Sequence, residues 1–498
     1  MIIRRVDKHM RKDVYRFITE FKIEAECVTP LHIGGNNNSG EVLIHPVDGR
    51  PFIQASSISG VLRRCFADLN CNKETDKEKV KEKEAKIFGG VYTKKNQDGK
   101  TQNVRCESCL KVTDGQFVGN VLLELRPRLS INPETGTCEE SIVKGTDIKS
   151  GNKFNMEYIG AGAKFNFNLY LYEVGNESDA TDKNSEIYEN KERYFKVVTD
   201  LFYYISENKM SLGGQRSNGC GDISFTSVKY KTFDMKNEDD RNQWLNHGGY
   251  GTEELRKIEY KDLSVMKNSD NDVSENNAYV ITVLGKTENK LLIKGIEAEK
   301  FGVDVPKAEN IKNAKDEFIV PGSSMKGAFR SQIDRICRYL YKDDSNEYRD
   351  IIDSVFGSKE KTGNIRFFDT IVGNIEENEK VDLSYRIHID KFTGGVMNGS
   401  LFSEKNVYGD MNIKITISDR NNPEISCGLI ILALRDMAMG MMNLGSGYGV
   451  GKGFVKVNEI KIRNKNGNNA IIRYDNKRNV TITDEKKIIN KCITSLSK

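Results

Sequence analysis

Apolar and polar residues alternate over AKFNFNLYLYE (163–173) and MNIKITI (411–417), a period of two that predicts strands. Each strand is followed by an apolar segment of helical character, RYFKVVTDLFYYI (193–205) and GLIILALRDMAMGMM (428–442). Each helix then leads into a glycine-rich loop, LGGQRSNGCGDISF (212–225) and LGSGYGVGKGFVKV (444–457). The pairing extends upstream. QASSISGVLRRCF (54–66) and VPGSSMKGAFRSQIDRI (320–336) both read as an extended end, a small-residue turn and a helix.

The two series keep one order. Ala55-Ser56-Ser57 aligns with Gly322-Ser323-Ser324 without a gap, and IFGG (87–90) with VFGS (355–358). LKVTDG, ending at Gly115, matches IRFFDT, ending at Thr370. Arg128 and Arg386 stand at equal distances before the glycines of ETG and FTG, Gly136 and Gly394. The chain is therefore expected to be an internal duplication, with units at 15–235 and 275–465. The first unit carries a Cys-containing insertion at 66–110. A polar connector, 236–274, has room for one short helix, and 466–498 reads as a hairpin or strand with a frayed tail. Strands, two helices and a late strand in each unit predict an α+β domain with an antiparallel sheet of ferredoxin-like kind.

Bulk properties narrow the function only a little. A chain of 498 residues with 37% hydrophobic content implies more than one core. The 76 basic and 72 acidic residues nearly cancel, so any nucleic-acid surface has to be local. No apolar run approaches the roughly 20 residues that span a bilayer, so no membrane partner is expected, and the first residues lack a signal-type apolar region. Ten cysteines are too sparse for a disulfide scaffold, and a reduced cytoplasm is expected.

The repeated turn has chemistry of its own. A helix opening after small residues offers backbone N–H groups and its dipole to an anion. Ser323 and Ser324 add hydroxyls, and Lys326 and Arg330 share one helical face. The first unit offers Ser56, Ser57, Arg63 and Arg64. In the glycine loops Arg216, Gly447, Tyr448 and Lys452 are placed to touch phosphate or stack on a base. Neither loop has the order of a P-loop. A capped helix with a solvated basic face and a plain tight turn are the alternatives.

This order of motifs resembles the RAMP superfamily of CRISPR-associated proteins, specifically the backbone subunits of type III effector complexes. LHIGG (31–35), ASSISGVLRR, PGSSMKGAFR, the FGG and FGS steps, the ETG and FTGG turns and both glycine loops carry the likeness. The chain looks like two such subunits fused in tandem, as in type III-D systems. The resemblance implies modified RNA-recognition (ferredoxin-like) palms with inserted thumb and finger elements, the thumbs near 136–160 and 394–409. It implies a CRISPR guide RNA, a target RNA and other effector subunits as partners. It also implies an endoribonuclease whose aspartate precedes the Gly-Ser-Ser turn. That points to Asp304 in FGVDVPKAEN (301–310), acting on the ribose 2′-OH or through a hydrated Mg²⁺.

In the first unit Gly40 stands near the corresponding place with Glu41 beside it, so either Glu41 substitutes or the unit only binds. His32 is read as packed or touching RNA. Cys65, Cys71, Cys106 and Cys109 form a candidate structural Zn²⁺ site, and zinc fingers occur in some relatives. A purely architectural RNA-binding subunit and a stand-alone repeat-processing endoribonuclease are the alternative readings.

Overall fold

A computed structural model describes residues 14–35, 40–71, 77–95, 101–131, 140–142, 149–151, 153–175, 186–208, 210–247, 258–263, 277–295, 308–341, 346–358, 360–373, 381–397 and 401–497. The first unit runs β1 (Val14–Cys27), α1 (Ala55–Cys71), α2 (Lys77–Phe88), β2 (Leu123–Leu129), β3 (Lys153–Ile159), β4 (Lys164–Gly175), α3 (Glu186–Asn208) and β5 (Asp222–Asp234). A connector helix, α4 (Glu238–Leu245), comes next. The second unit runs β6 (Asn277–Thr287), α5 (Gly322–Tyr341), α6 (Asn346–Phe356), β7 (Val381–Arg386), β8 (Phe402–Val407), β9 (Asp410–Ser418), α7 (Pro423–Ala438) and β10 (Val455–Asn464). The chain closes with β11 (Asn469–Tyr474), β12 (Val480–Thr483) and α8 (Ile488–Thr494).

Each unit builds its own antiparallel sheet. β1 lies between β4 and β5, and short strands at Leu110–Val112 and Gly115–Val118 pair along the far side of β4. β6 lies between β9 and β10 in the same way, with Ile365–Phe367 and Thr370–Gly373 beside β9. A βαββαβ chain whose last strand sits beside its first has the ferredoxin-like order. The protein is thus a tandem of two α+β palms.

Alternation along the strands sets the cores. Phe21, Ile23 and Ala25 of β1 cluster with Ile58, Leu62 and Phe66 of α1 and with Leu201, Phe202 and Ile205 of α3. In the second unit Ile281 and Val283 cluster with Met325, Phe329 and Ile333 of α5 and with Leu429, Ile430 and Leu434 of α7. A hairpin is inserted at the same point of each unit, β2 with β3 and β7 with β8. These hairpins begin earlier than the thumb segments expected from sequence, and residues 136–139, 143–148, 152 and 398–400 of those segments lie outside the described residues.

The C-terminus holds the expected hairpin, but the tail after it departs from expectation. β11 and β12 extend the second sheet, and α8 packs rather than frays, burying Ile488 and Cys492, with Leu496 buried just beyond it. Gly428 of α7 makes this possible: a Cβ there would stand 2.5 Å from the Cys492 carbonyl oxygen. The connector is anchored too. Glu20, buried in β1, accepts from Tyr170 and Tyr260 and is paired with His247 at 3.2 Å.

Candidate nucleic-acid interface

The duplicated turns open the two long helices identically. The Ala55 N–H donates to Asp114 Oδ1 at 2.6 Å, and the Gly322 N–H donates to Asp369 Oδ1 at 2.8 Å. The aspartates of LKVTDG and IRFFDT therefore cap the helices that precede them, where the dipole favours a carboxylate. At each helix start the chain's own carboxylate thus takes the first N–H, that of Ala55 or Gly322. Ser56 is exposed, while Ser57, Ser323 and Ser324 are half-buried.

Arg63 and Arg330 also share a duplicated role. Arg63 donates to the Gly89 carbonyl, and Arg330 donates to the Gly357 carbonyl at 3.4 Å. Each guanidinium lies 5.9 Å from a ring, that of Phe88 or Phe356. The FGG and FGS glycines end α2 and α6 with positive φ, and each arginine satisfies the carbonyl released there. Arg64 does similar work inside the first unit, donating to the Ser211 carbonyl at 3.1 Å.

A cationic site lies where the units meet. The glycine loop of the first unit packs on the start of α5 in the second. A Cβ on Gly322 would overlap the carbonyl oxygens of Phe367 and Asn218, and one on Gly219 would stand 2.6 Å from Phe368 Cα, so both glycines are required by close approach. Lys326 Nζ donates to Ser217 Oγ across the junction at 3.0 Å. Burial, then the charges of Arg330 and Arg128, push the pKa of Lys326 down to about 8. Arg128 comes from the β2–β3 hairpin, where it donates to the Tyr158 hydroxyl and, at 3.1 Å, to Gln215 Oε1. Its buried Nε has no hydrogen-bond acceptor among the described residues. Arg216, on the same loop, is exposed. Arg330 is paired with Asp353 at 3.8 Å, while Lys326 and Arg128 meet neutral acceptors, Ser217, Tyr158 and Gln215. Such a site suits a phosphate.

A second network ties the junction shut. Arg126 is 4% exposed and faces two carboxylates, Glu124 beside it and Asp369 of the second unit at 2.7 Å. Burial works against its charge, but Asp369 and Glu124 outweigh that and raise its pKa. Glu124 also accepts from the Ala314 N–H at 3.0 Å, and Asp369 also caps α5. Arg366 of the second unit pairs with Asp222 at 2.7 Å and donates to the Arg216 carbonyl at 2.9 Å. Sequence reasoning missed Arg126, Arg128 and Arg366 as junction residues. The one signal in the sequence is LELRPRL in β2, where Glu124, Arg126 and Arg128 alternate onto one face.

The second unit's loop is a different environment. Tyr448 is exposed as expected, and Gly447 adopts positive φ. Lys452 corrects the expectation of a phosphate contact. It is buried, and its ammonium pairs with Glu404 and donates to Asn406 Oδ1 at 2.9 Å. Arg386 holds the other oxygen of Glu404. In the first unit the corresponding space holds Met156, Tyr158 and Cys220.

Asp304 lies outside the described residues. Glu41 is exposed. Its neighbour Gly40 has positive φ and accepts from the Glu157 N–H of β3 at 2.8 Å, and a Cβ there would overlap the Asn155 carbonyl. A larger residue, aspartate included, does not fit at that place. His32 is packed, with Nδ1 2.8 Å from the Glu157 carbonyl oxygen.

Cys65 is buried in the first core, and burial raises its thiol to about 11. Cys109 lies 3.7 Å from the Ile87 carbonyl oxygen, and burial raises it to about 12. Cys106 is half-buried, and the Cys71 side chain lies outside the described residues. Among the described residues no three His, Cys, Asp or Glu side chains gather to hold a metal ion. Cys65 is a member of the first unit's hydrophobic core. Among the described residues, no helix is long and apolar enough to cross a membrane.

The family model described as RAMP superfamily matches residues 24–224 and 305–456 of this chain. No curated protein matches it.

Proposed function

The chain belongs to the RAMP superfamily, and from that membership we propose that it is a CRISPR RNA-binding backbone subunit of a type III effector complex. The guide's phosphates lie in the junction between its palms, and complementary target RNA is cleaved at the second unit. The observation that carries the binding role is the cluster of Lys326, Arg330 and Arg128 across the junction, with a lysine held near pH 8 by burial and neighbouring cations. A ligand with localised negative charge relieves that repulsion. Backbone phosphate does so whatever the base sequence, leaving specificity to base pairing.

For cleavage, Asp304 is the proposed carboxylate. It orients the ribose 2′-OH toward the adjacent phosphate, and Mg²⁺ or a similar divalent ion would supply charge stabilisation there. Glu41 is proposed to have no catalytic part, since Gly40 packs too tightly on β3 to be a replaced aspartate. Zinc on Cys71, Cys106 and Cys109 is a separate proposal, tested by metal analysis of wild type and Cys106→Ser.

The experiment is the assembled complex with a guide and a matching target RNA. Wild type, Asp304→Ala and Glu41→Ala are compared for cut positions and for assembly. Loss of one set of cuts in Asp304→Ala alone, with assembly intact, supports the reading. Undiminished cutting in Asp304→Ala refutes the catalytic role and leaves an architectural subunit. Cleavage of repeat hairpins by the chain on its own favours the repeat-processing reading instead.

A further inference from the structure

Carboxylates hold other withdrawn ammonium groups of this chain in their charged form. Buried Lys452 is paired with Glu404, and half-buried Lys86 with Glu82 at 2.7 Å. Lys326 is held differently. It is half-buried, and among the described residues its hydrogen-bond partner is the neutral Ser217 hydroxyl at 3.0 Å. The charges that act on it, those of Arg330 and Arg128, are cationic. A hydroxyl serves an amine in either state: it accepts from the ammonium, or turns and donates to the neutral nitrogen. A carboxylate in that place would keep the proton on; burial beside guanidinium groups lets it go.

A nucleophile and an anion site therefore coincide. Arg330 shares the helical face of Lys326 and is exposed, Arg216 is exposed next to Ser217, and the buried Nε of Arg128 has no acceptor among the described residues. A molecule in which an acyl carbon is joined to a phosphate brings its anion to the guanidiniums and its carbonyl carbon to the nitrogen. The reaction needs no further reagent. The ammonium first gives one proton to water. The Nζ lone pair then attacks the carbonyl carbon, a C–N bond forms and the C–O bond to phosphate breaks. The electron pair of that bond leaves with the phosphate, which also takes the proton displaced from the nitrogen.

We propose that Lys326 Nζ is an acylation site for acyl phosphates, open in the chain without RNA and closed when an RNA backbone lies across the junction. The product is a neutral amide, so an acylated chain loses a cation that grips phosphate. The reactivity rests on the junction geometry, and only the exclusion by RNA rests on the guide-binding role proposed above. With its pKa at about 8, about a quarter of Lys326 is neutral at pH 7.5, against about a thousandth of a lysine at the ordinary 10.5. A less basic nitrogen is a weaker nucleophile, which offsets part of that gain and leaves roughly tenfold.

The test is the nuclease-treated full chain with acetyl phosphate at pH 7.5 and fixed salt, with acetylation followed site by site by peptide mass spectrometry. Lys326 should react about tenfold faster or more than the exposed Lys391 and Lys477. Inorganic phosphate should slow Lys326 and not the other two, and bound single-stranded RNA should protect it. Ser217→Asp, with folding checked by circular dichroism, should bring Lys326 down to the rate of the exposed lysines, because a carboxylate restores its charge. Reaction at Lys326 no faster than at Lys391 and Lys477 would overturn the proposal. So would a Lys326 rate indifferent to inorganic phosphate or to a folded Ser217→Asp, or RNA that binds by anisotropy without slowing Lys326. RNA that fails to bind a chain still acylated rapidly at Lys326 counts instead against the guide-binding role and upholds the acylation site.

Discussion

Lys326 gives the junction a pH signature that an ordinary surface lysine would lack. With its pKa held at about 8 rather than near the usual 10.5, the side chain is largely charged at pH 7 and largely neutral at pH 9. If only the charged form grips a phosphate, affinity scales inversely with one plus ten to the power of pH minus pKa. That factor grows about tenfold between pH 7 and pH 9. The sign for folding is opposite. A lysine whose folded pKa is depressed costs stability while it is charged, below about pH 8, and that cost is relieved as pH rises toward the ordinary range. Binding should therefore weaken with pH while the free protein does not. The assay is fluorescence anisotropy with a single-stranded RNA of about 40 nucleotides at fixed salt, from pH 6.5 to 9, in wild type, Lys326→Arg and Lys326→Met. Wild type should lose affinity about tenfold, Lys326→Arg should stay flat, and Lys326→Met should be weak throughout, with a salt slope lower by about one. The same decline in Lys326→Met as in wild type would refute the assignment, and so would a wild-type affinity that stays level up to pH 9.

Other residues can be tested by stability. Arg126→Ala leaves the buried Glu124 and the half-buried Asp369 without their cation and should cost about 3–5 kcal/mol in urea unfolding; Arg126→Lys should recover only part of it. Gly322→Ala should cost about 1–3 kcal/mol, because the added methyl overlaps backbone oxygens, whereas Ala55→Gly should cost under about 1 kcal/mol by thermal denaturation. Lys452→Met leaves Glu404 to Arg386 alone and should destabilise by about 1–3 kcal/mol, while the joint exchange Glu404→Met/Lys452→Cys, which copies the first unit at those two positions, should cost measurably less than the sum of the single exchanges in a double-mutant cycle.

The parts of this protein that sequence makes visible are those that backbone geometry dictates. Gly89, Gly219, Gly357 and Gly451 hold positive φ at matching places in both units, so glycine recurs there whatever surrounds it. The Asp of LKVTDG and IRFFDT recurs because each helix start needs an acceptor. Less legible is what depends on a partner far along the chain. Nothing around Lys452 says that its ammonium turns inward to Glu404, and nothing around Arg126 says that Asp369 waits in the other unit. The last helix reads as a frayed tail from sequence because KKIINKCITSLSK is short and polar. Yet three of its few apolar residues, Ile488, Cys492 and Leu496, are buried in the second unit's core.

The exchange of Met156 and Cys220 in one half for Glu404 and Lys452 in the other has a genetic side. Two copies of one ancestral gene in a single reading frame are exposed to unequal crossing-over and conversion between them. Any crossover falling between the hairpin and the glycine loop would join a carboxylate to a thiol, or an ammonium to a thioether, in a space closed to water. Such recombinants would be poor folders, so the halves are protected from being homogenised and are free to keep diverging.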